Sequence, residues 1–265
     1  VIIGSFCLKQ EERAFISSVR LIRTTERELT AEIEVSSDEE REGRLRITSE
    51  ALKEAADVTL QLPQGKRIFR LEHLKLSEKF AEWDLSDGNQ YEFTFSLDGH
   101  EKTELAGFRD LIVDSSGRLL LNGRRIFIRA ESDFSVFPET GHEPMDYDGW
   151  KNRLSAYRKY GANAVRFVAH CPPEKAFQAA DDLGMLLFAE LSAADGPVLD
   201  SDASVRYYET ELKQILETYG NHPSFGFLSF GDRIVYEEAG LLRAQDLLSR
   251  ARRYNPSVLV YTGHK

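Results

Sequence analysis

The 265 residues are enough for one large domain or two ordinary ones, and a hydrophobic content of 42% with 29% charged residues excludes a disordered chain. The net charge is −10 with no block of basic residues, which speaks against a nucleic-acid partner; the acidity itself reports only on solubility. No stretch of ~18 apolar residues occurs, so neither a membrane-spanning helix nor a membrane partner is expected.

Cys7 and Cys171 are the only cysteines, too few for a disulfide framework. They read as free buried thiols, with a single pairing as the alternative. There is no CxxC and no HExxH, so neither a metal nor another cofactor has motif support. The chain opens on Val1-Ile2-Ile3 with no initiator Met and no signal peptide, as expected of a fragment or a processed product.

Residues 1 to about 107 read as β. Short, roughly alternating runs cover Phe15 to Arg23, Leu29 to Val35, Leu45 to Thr48, Val58 to Leu62, Ile68 to Leu74 and Tyr91 to Leu97. Turn-rich or charged segments separate them, the pattern of an antiparallel β-sandwich of immunoglobulin type. Ala51 to Ala56 reads as a helical turn or an irregular connection, and Trp83 as a core aromatic near a strand start.

The pattern changes near Gly107. Leu119 to Leu121, Asn122-Gly123 and Ile126 to Arg129 predict a hairpin with a type I′ turn. Strands then alternate with helices, the signature of βαβ units. The expected strands are Ile126 to Ala130, Ala164 to Ala169, Met185 to Ala189, Phe225 to Phe230 and Val258 to Tyr261. The expected helices are Asp148 to Tyr160, a second opening at Pro172-Pro173 and closed by Gly184, Val205 to Tyr219, and Glu237 to Tyr254. This organisation predicts a β-sandwich over 1–107 and, over 108–265, the first five strands of a (β/α)8 TIM barrel. An unclosed barrel exposes edge strands, so either a missing half or another protomer is expected to complete it.

In such a barrel the chemistry sits at the carboxyl ends of the strands. The polar residues expected there are Glu131, Ser132 and Asp133; His170 and Cys171; Glu190; Asp232 and Arg233; and His264. Glycoside hydrolysis needs two carboxyl groups, and Glu190 with Asp232 can be read as such a pair. Equally, Glu190 can be a structural partner of Arg166 or Arg233. His170 reads either as a sugar contact or as a hydrogen-bonded structural histidine. Phe134, Phe137 and Tyr147 read either as a stacking platform or as loop packing.

Five segments resemble glycoside hydrolase family 2, the β-galactosidases, β-glucuronidases and β-mannosidases. Ala106 to Asp110 (AGFRD) is similar to the family's GFR, and Leu119 to Ala130 (LLLNGRRIFIRA) to LNGKPIFLRG. Tyr160 to Pro173 (YGANAVRFVAHCPP) is similar to GFNAVRxSHYPP, and Ala179 to Glu190 (AADDLGMLLFAE) to LCDELGILVxDE. Asn221 to Arg233 (NHPSFGFLSFGDR) is similar to NHPSIIxWSLGNE. The resemblance implies an immunoglobulin-like domain followed by a catalytic barrel that hydrolyses β-linked sugars with retention, and a carbohydrate as partner. It implies substrate contacts at Asn163, Arg166, His170 and Arg233, no cofactor, and often a periplasmic or secreted location, with a cytoplasmic one as the alternative. The family's acid/base glutamate falls on Arg233, and Asp232 is the remaining acid/base candidate; the nucleophile strand would lie beyond Lys265, so this chain alone is expected to be inactive. Arginine cannot serve as a general acid at ordinary pH, which leaves open a non-catalytic, carbohydrate-binding relative. His170 stands four residues after Arg166, where the family pattern has three.

Overall fold

A computed structural model describes residues 13–192, 199, 201–231 and 238–262. Its contacts divide the described residues into two compact units, one built from residues 13–82 plus Asn89–Phe108, the other from Trp83–Gly88 plus the described residues from Arg109 onward. No helix among the described residues is long and apolar enough to cross a membrane.

The first unit contains strands β1 (Ala14–Thr25), β2 (Glu28–Ser37), β3 (Arg41–Thr48), β4 (Ala56–Leu62), β5 (Gly65–Lys75), β6 (Tyr91–Leu97) and β7 (His100–Ala106). They form two antiparallel sheets, ordered β1-β2-β5 and β4-β3-β6-β7. Alternation explains the arrangement. In β3, Leu45 and Ile47 are buried while Arg44 and Arg46 are exposed, as a half-covered strand requires. Leu29, Ile33, Leu45, Ile47, Phe93 and Phe95 come from both sheets and share one core.

The structure adds one strand to those expected and decides between the two readings of one connection. The strand β7 is absent from the sequence reading because its residues His100 to Leu105 are polar or partly exposed and only Ala106 is buried. It pairs through the Asp98-Gly99 turn, where both residues have positive φ. Residues 51–55 form an irregular connection carrying one isolated bridge, Leu52 to Leu76, rather than a helical turn.

The second unit opens with a small antiparallel sheet, β8 (Leu111–Val113), β9 (Leu119–Leu121) and β10 (Arg124–Arg125), in the order β10-β9-β8. Asn122 (φ 49°) and Gly123 (φ 73°) join β9 to β10 with the paired left-handed conformations of a type I′ turn. There follow β11 (Ala130–Asp133), α1 (Tyr147–Lys159), β12 (Ala164–Phe167), α2 (Glu174–Leu183), β13 (Leu186–Glu190), α3 (Asp202–Tyr219), β14 (Phe225–Ser229), α4 (Glu238–Tyr254) and β15 (Leu259–Tyr261). The five strands pair in sequential order, all parallel.

The first of these strands begins four residues later than its expected start at Ile126. Ile126 and Ile128 instead pack against the small core beside the hairpin, and the strand itself is the polar run Ala-Glu-Ser-Asp. An edge strand with one hydrogen-bonded neighbour and three exposed side chains gives no apolar signature.

Both faces of the sheet are apolar, which explains the lack of clean alternation in β12 to β14. One face is packed by helices: Val165, Phe167, Leu187, Phe225 and Leu228 share a core with Trp150, Leu154, Phe177, Leu216 and Leu247. No described helix covers the other, and Ala164, Leu186 and Phe227 join Leu111, Leu121 and Trp83 there. Trp83 is fully buried, as expected of a core aromatic, but in the second unit; its indole N–H donates to the Asp181 carbonyl at 2.8 Å. The register between β13 and β14 slips once, so that Leu187 faces Phe225 and Phe188 faces Phe227. Gly226 is the extra residue, a β-bulge.

The helix ends follow their caps. The Asp146 carboxylate accepts the Gly149 N–H at 2.7 Å, and Ser201 and Ser204 form a reciprocal capping box. Gly184 ends α2 in the left-handed conformation (φ 64°), and a Cβ there would lie 2.6 Å from the Leu85 carbonyl oxygen. Glycine is required on both counts.

Arg109 closes the amino ends of β14 and β15. Nε donates to the Pro223 carbonyl at 2.6 Å, Nη2 to Phe225 at 2.6 Å and Nη1 to Ser257 at 3.0 Å. Burial lowers its pKa to about 10, against the opposing pull of Asp181 and Asp110, so the guanidinium is still charged at neutral pH. Arg109→Ala strips three carbonyls of their donor and is expected to cost about 3–5 kcal/mol of stability, with Arg109→Lys intermediate. Urea midpoints at unchanged m-value measure this; a loss below ~1 kcal/mol for the alanine variant would show that the carbonyls find other donors.

Candidate functional site

Residues that share a row across the parallel sheet share a face. Ser132 pairs with Arg166, and Arg166 with Phe188; one step further toward the carboxyl ends, Glu190 pairs with Ser229 and Ser229 with Tyr261. These rows continue the helix-free face of Ala164, Leu186 and Phe227. Phe188 stacks on Phe227 with ring centroids 3.8 Å apart, and Tyr261 meets Phe188 edge-on. The face thus passes from an apolar floor to a polar rim at the strand ends.

The rim is organised by Glu190, which is 2% exposed. Its Oε1 accepts from Arg166 Nε and Nη2, each at 2.6 Å, and its Oε2 accepts the Ala169 N–H at 2.8 Å. Ala169 has φ 60°, the left-handed region that a residue with a Cβ enters at a cost of about 1–2 kcal/mol. The Glu190 N–H in turn donates to the His170 carbonyl at 3.1 Å. Of the two readings open for Glu190, the geometry matches the structural partner of Arg166: both carboxylate oxygens are engaged and almost nothing is exposed.

His170 lies beside this latch. Its Nδ1 is 3.0 Å from the Val168 carbonyl, which can only accept, so Nδ1 carries a proton. In the neutral ring Nε2 is then left to accept from the Ser135 hydroxyl at 2.8 Å. The imidazole also meets the Phe167 ring edge-on. His170 is held as a half-buried, hydrogen-bonded side chain at the same strand ends as Arg166 and Glu190.

Asn163 is placed elsewhere. It precedes β12, at the amino end of the strand. Its Nδ2 donates to the Phe127 carbonyl at 2.8 Å and its Oδ1 accepts the Arg129 N–H at 2.8 Å. Both amide atoms are engaged with the segment that leads into β11, at the strand end opposite to Glu190 and His170. Asp133 turns to the helix-packed side, where it is buried and accepts Arg153 Nε at 2.8 Å and the Ser135 N–H at 2.9 Å. Glu131 is exposed.

Phe134, Phe137 and Tyr147 form no common platform. Phe134 is 65% exposed, Phe137 packs under the Arg153 guanidinium, and Tyr147 bonds to Asp182. Cys171 is partly buried, and burial pushes its thiol far above the ordinary range, with Glu211 and Glu143 adding to the effect, so it is no thiolate nucleophile. Asp232, Arg233, His264 and Cys7 lie outside the described residues. Among the described residues no group of three or more His, Cys, Asp or Glu side chains is placed to hold a metal ion. Sequence reasoning missed the Ala169 N–H, a backbone donor no motif announces, and the contact of Ser135 with His170.

Removing Glu190 leaves the Arg166 charge partly buried and the Ala169 N–H unpaired. Glu190→Ala is expected to cost about 2–4 kcal/mol and Glu190→Gln less, because the amide oxygen still accepts. Thermal or urea unfolding of both variants measures the difference, and equal losses would contradict the latch.

No protein-family model matches the chain. A β-galactosidase of Vibrio vulnificus (strain YJ016) is 28% identical over 178 residues, covering 62% of this chain and 17% of that protein. Among solved structures, a glycoside hydrolase family 2 β-galacturonidase from Eisenbergiella tayi, bound to galacturonate, superposes with a TM-score of 0.80 at 19% identity, over 95% of this chain and 46% of that one. A β-D-mannosidase from Dictyoglomus thermophilum gives a TM-score of 0.80 at 15% identity, over 97% and 35%. The chain therefore spans less than a fifth of the curated relative and less than half of either structure. In sequence and in fold, it is similar to a stretch of the β-glycosidases of glycoside hydrolase family 2.

Proposed function

We propose that the chain is part of a retaining β-glycosidase of family 2 type, which hydrolyses O-glycosidic bonds of β-linked sugars. In this reading the first unit, 1–107, is an immunoglobulin-like β-sandwich, and 108–265 is the amino-terminal portion of a (β/α)8 barrel. The observation that carries it is the row of polar groups at the carboxyl ends of five sequential parallel strands, set above an aromatic floor, in a chain similar to these enzymes in sequence and fold. That is where barrel enzymes keep their chemistry.

Within this reading the residues divide by task. Arg166 and His170 face the carbohydrate. Glu190 is a positioning residue that fixes Arg166 and the β12–β13 ends. Asp232 is the acid/base candidate and Arg233 a substrate contact. Retention requires a second carboxylate about 5–5.5 Å from the first, and the resemblance places it on a later strand than this chain contains.

A second reading, a carbohydrate-binding relative without catalysis, is favoured by Arg233 standing where the family has its glutamate. The two are separated in the longer protein that contains this chain, assayed on aryl β-galactosides, β-glucuronides and β-mannosides. The enzyme reading expects turnover with retained anomeric configuration and a fall in kcat of about 10²–10⁴-fold in Asp232→Asn. Folded protein that turns over none of these sugars, but gains activity in Arg233→Glu, would establish the second reading instead.

A further inference from the structure

The loop between β11 and α1 encloses an open pocket of about 570 Å³, within the usual range for small-molecule sites. Its apolar walls are Val136, Phe137, Pro144 and Met145, and its charged side chains are Glu139, Glu143, Asp146 and Arg153. Neither the five motif segments nor the rim above the aromatic floor uses it.

Arg153 is fixed from three directions. Nε donates to the buried Asp133 carboxylate at 2.8 Å, and the guanidinium lies 4.6 Å from the Phe137 ring centroid and 5.5 Å from that of Tyr157. This leaves its terminal amino groups, among the described residues, without a hydrogen-bond acceptor. Glu143 is half-buried, and its side chain likewise has no described partner; only its backbone carbonyl is engaged, by His142. Burial, and behind it Asp133, raises the proton affinity of that carboxyl, while His170 opposes. A desolvated acceptor and a rigid donor therefore share one apolar pocket, both with capacity to spare.

From this geometry we infer that the pocket binds a neutral glycosyl unit, with Glu143 accepting from its hydroxyls, Arg153 donating to its oxygens and Phe137 with Met145 against its apolar ring face. The charge disfavours an anion: Glu139, Glu143 and Asp146 line the pocket against the single guanidinium of Arg153, which Asp133 already engages. A pyranose offers both hydrogen-bond roles and a C–H face, as this lining demands. The choice of a sugar as occupant rests on the reading of the chain as part of a β-glycosidase.

The test is direct binding, independent of turnover. The chain, labelled with ¹⁵N, is titrated with the methyl β-pyranosides of galactose, glucose and mannose and with methyl β-glucuronide. The Trp150 indole N–H, which donates to the Pro144 carbonyl of the pocket wall at 2.9 Å, is the reporter; Trp150→Phe identifies its resonance among the two tryptophans. Saturable shifts at that resonance and in residues 136–153 are expected for at least one neutral glycoside, with millimolar Kd. Binding should be at least about 10-fold weaker for the glucuronide, and about 5-fold or more weaker in Glu143→Ala and in Phe137→Ala. Absence of saturation with every neutral glycoside overturns the proposal, as does binding that both variants leave unchanged or shifts confined to Arg166, His170 and Glu190. The two readings fail separately: saturable binding here without turnover by the longer protein refutes the enzyme and keeps the pocket, and turnover without binding here does the reverse.

Discussion

One buried guanidinium sets the condition for the second unit. A parallel sheet leaves the carbonyls at its strand starts with no neighbour to pair with, and unpaired buried carbonyls are costly. Arg109 answers this at three carbonyls around β14 and β15. Its side chain enters from the segment before the hairpin, so the chain must reach this position before the sheet's amino end can be closed. Asp181 works beside it, taking the Ser224 N–H at 2.9 Å and His222 Nδ1 at 2.6 Å, while its carbonyl takes Trp83. The two residues thereby tie the motif segments AGFRD, AADDLG and NHPS into one cluster. Those segments carry the family resemblance, and the contacts give that likeness a mechanical basis.

The opposite end of the sheet is built on the same logic with the sign reversed. There a buried carboxylate, Glu190, collects donors: a guanidinium from β12 and a backbone N–H from a residue in the left-handed conformation. The conformational cost at Ala169 is offset by a charge-assisted hydrogen bond, of a class worth about 1.5–3 kcal/mol. Such an arrangement keeps Arg166 in one orientation.

Much of this was legible in the residues. Strands flanked by turn signals, the helix opened at Pro172-Pro173 and closed by Gly184, and the Asn122-Gly123 turn all express local physics that the sequence carries directly. Elements that depend on neighbours did not show. The strand β7 carries almost no apolar residues, and β11 is hidden behind the more strand-like Ile126 to Arg129. Trp83 joins a core that begins beyond the strands around it in sequence. At the site the same division holds. Side chains such as Arg166, His170 and Glu190 could be named, and the pairing of Arg166 with Glu190 was one of two open readings. What selects between such readings is burial and the direction of a backbone N–H, neither of which a residue type encodes. The placement of Asn163 at the amino end of β12 did not show either, because nearness in sequence to Arg166 is not nearness to the same strand end.

The bulge at Gly226 bears on the end of β14 in another way. In a strand, facing is a matter of phase: each residue inherits its side from the one before, and one extra residue inverts everything downstream. Adding or losing a single residue there would exchange the two sides of the strand's far end without altering any side chain on it. The choice of which terminal residue is presented to the helix-free face is thus held by a glycine at the strand's start, and a change of chemistry at one end of β14 can be made by an insertion or deletion at the other.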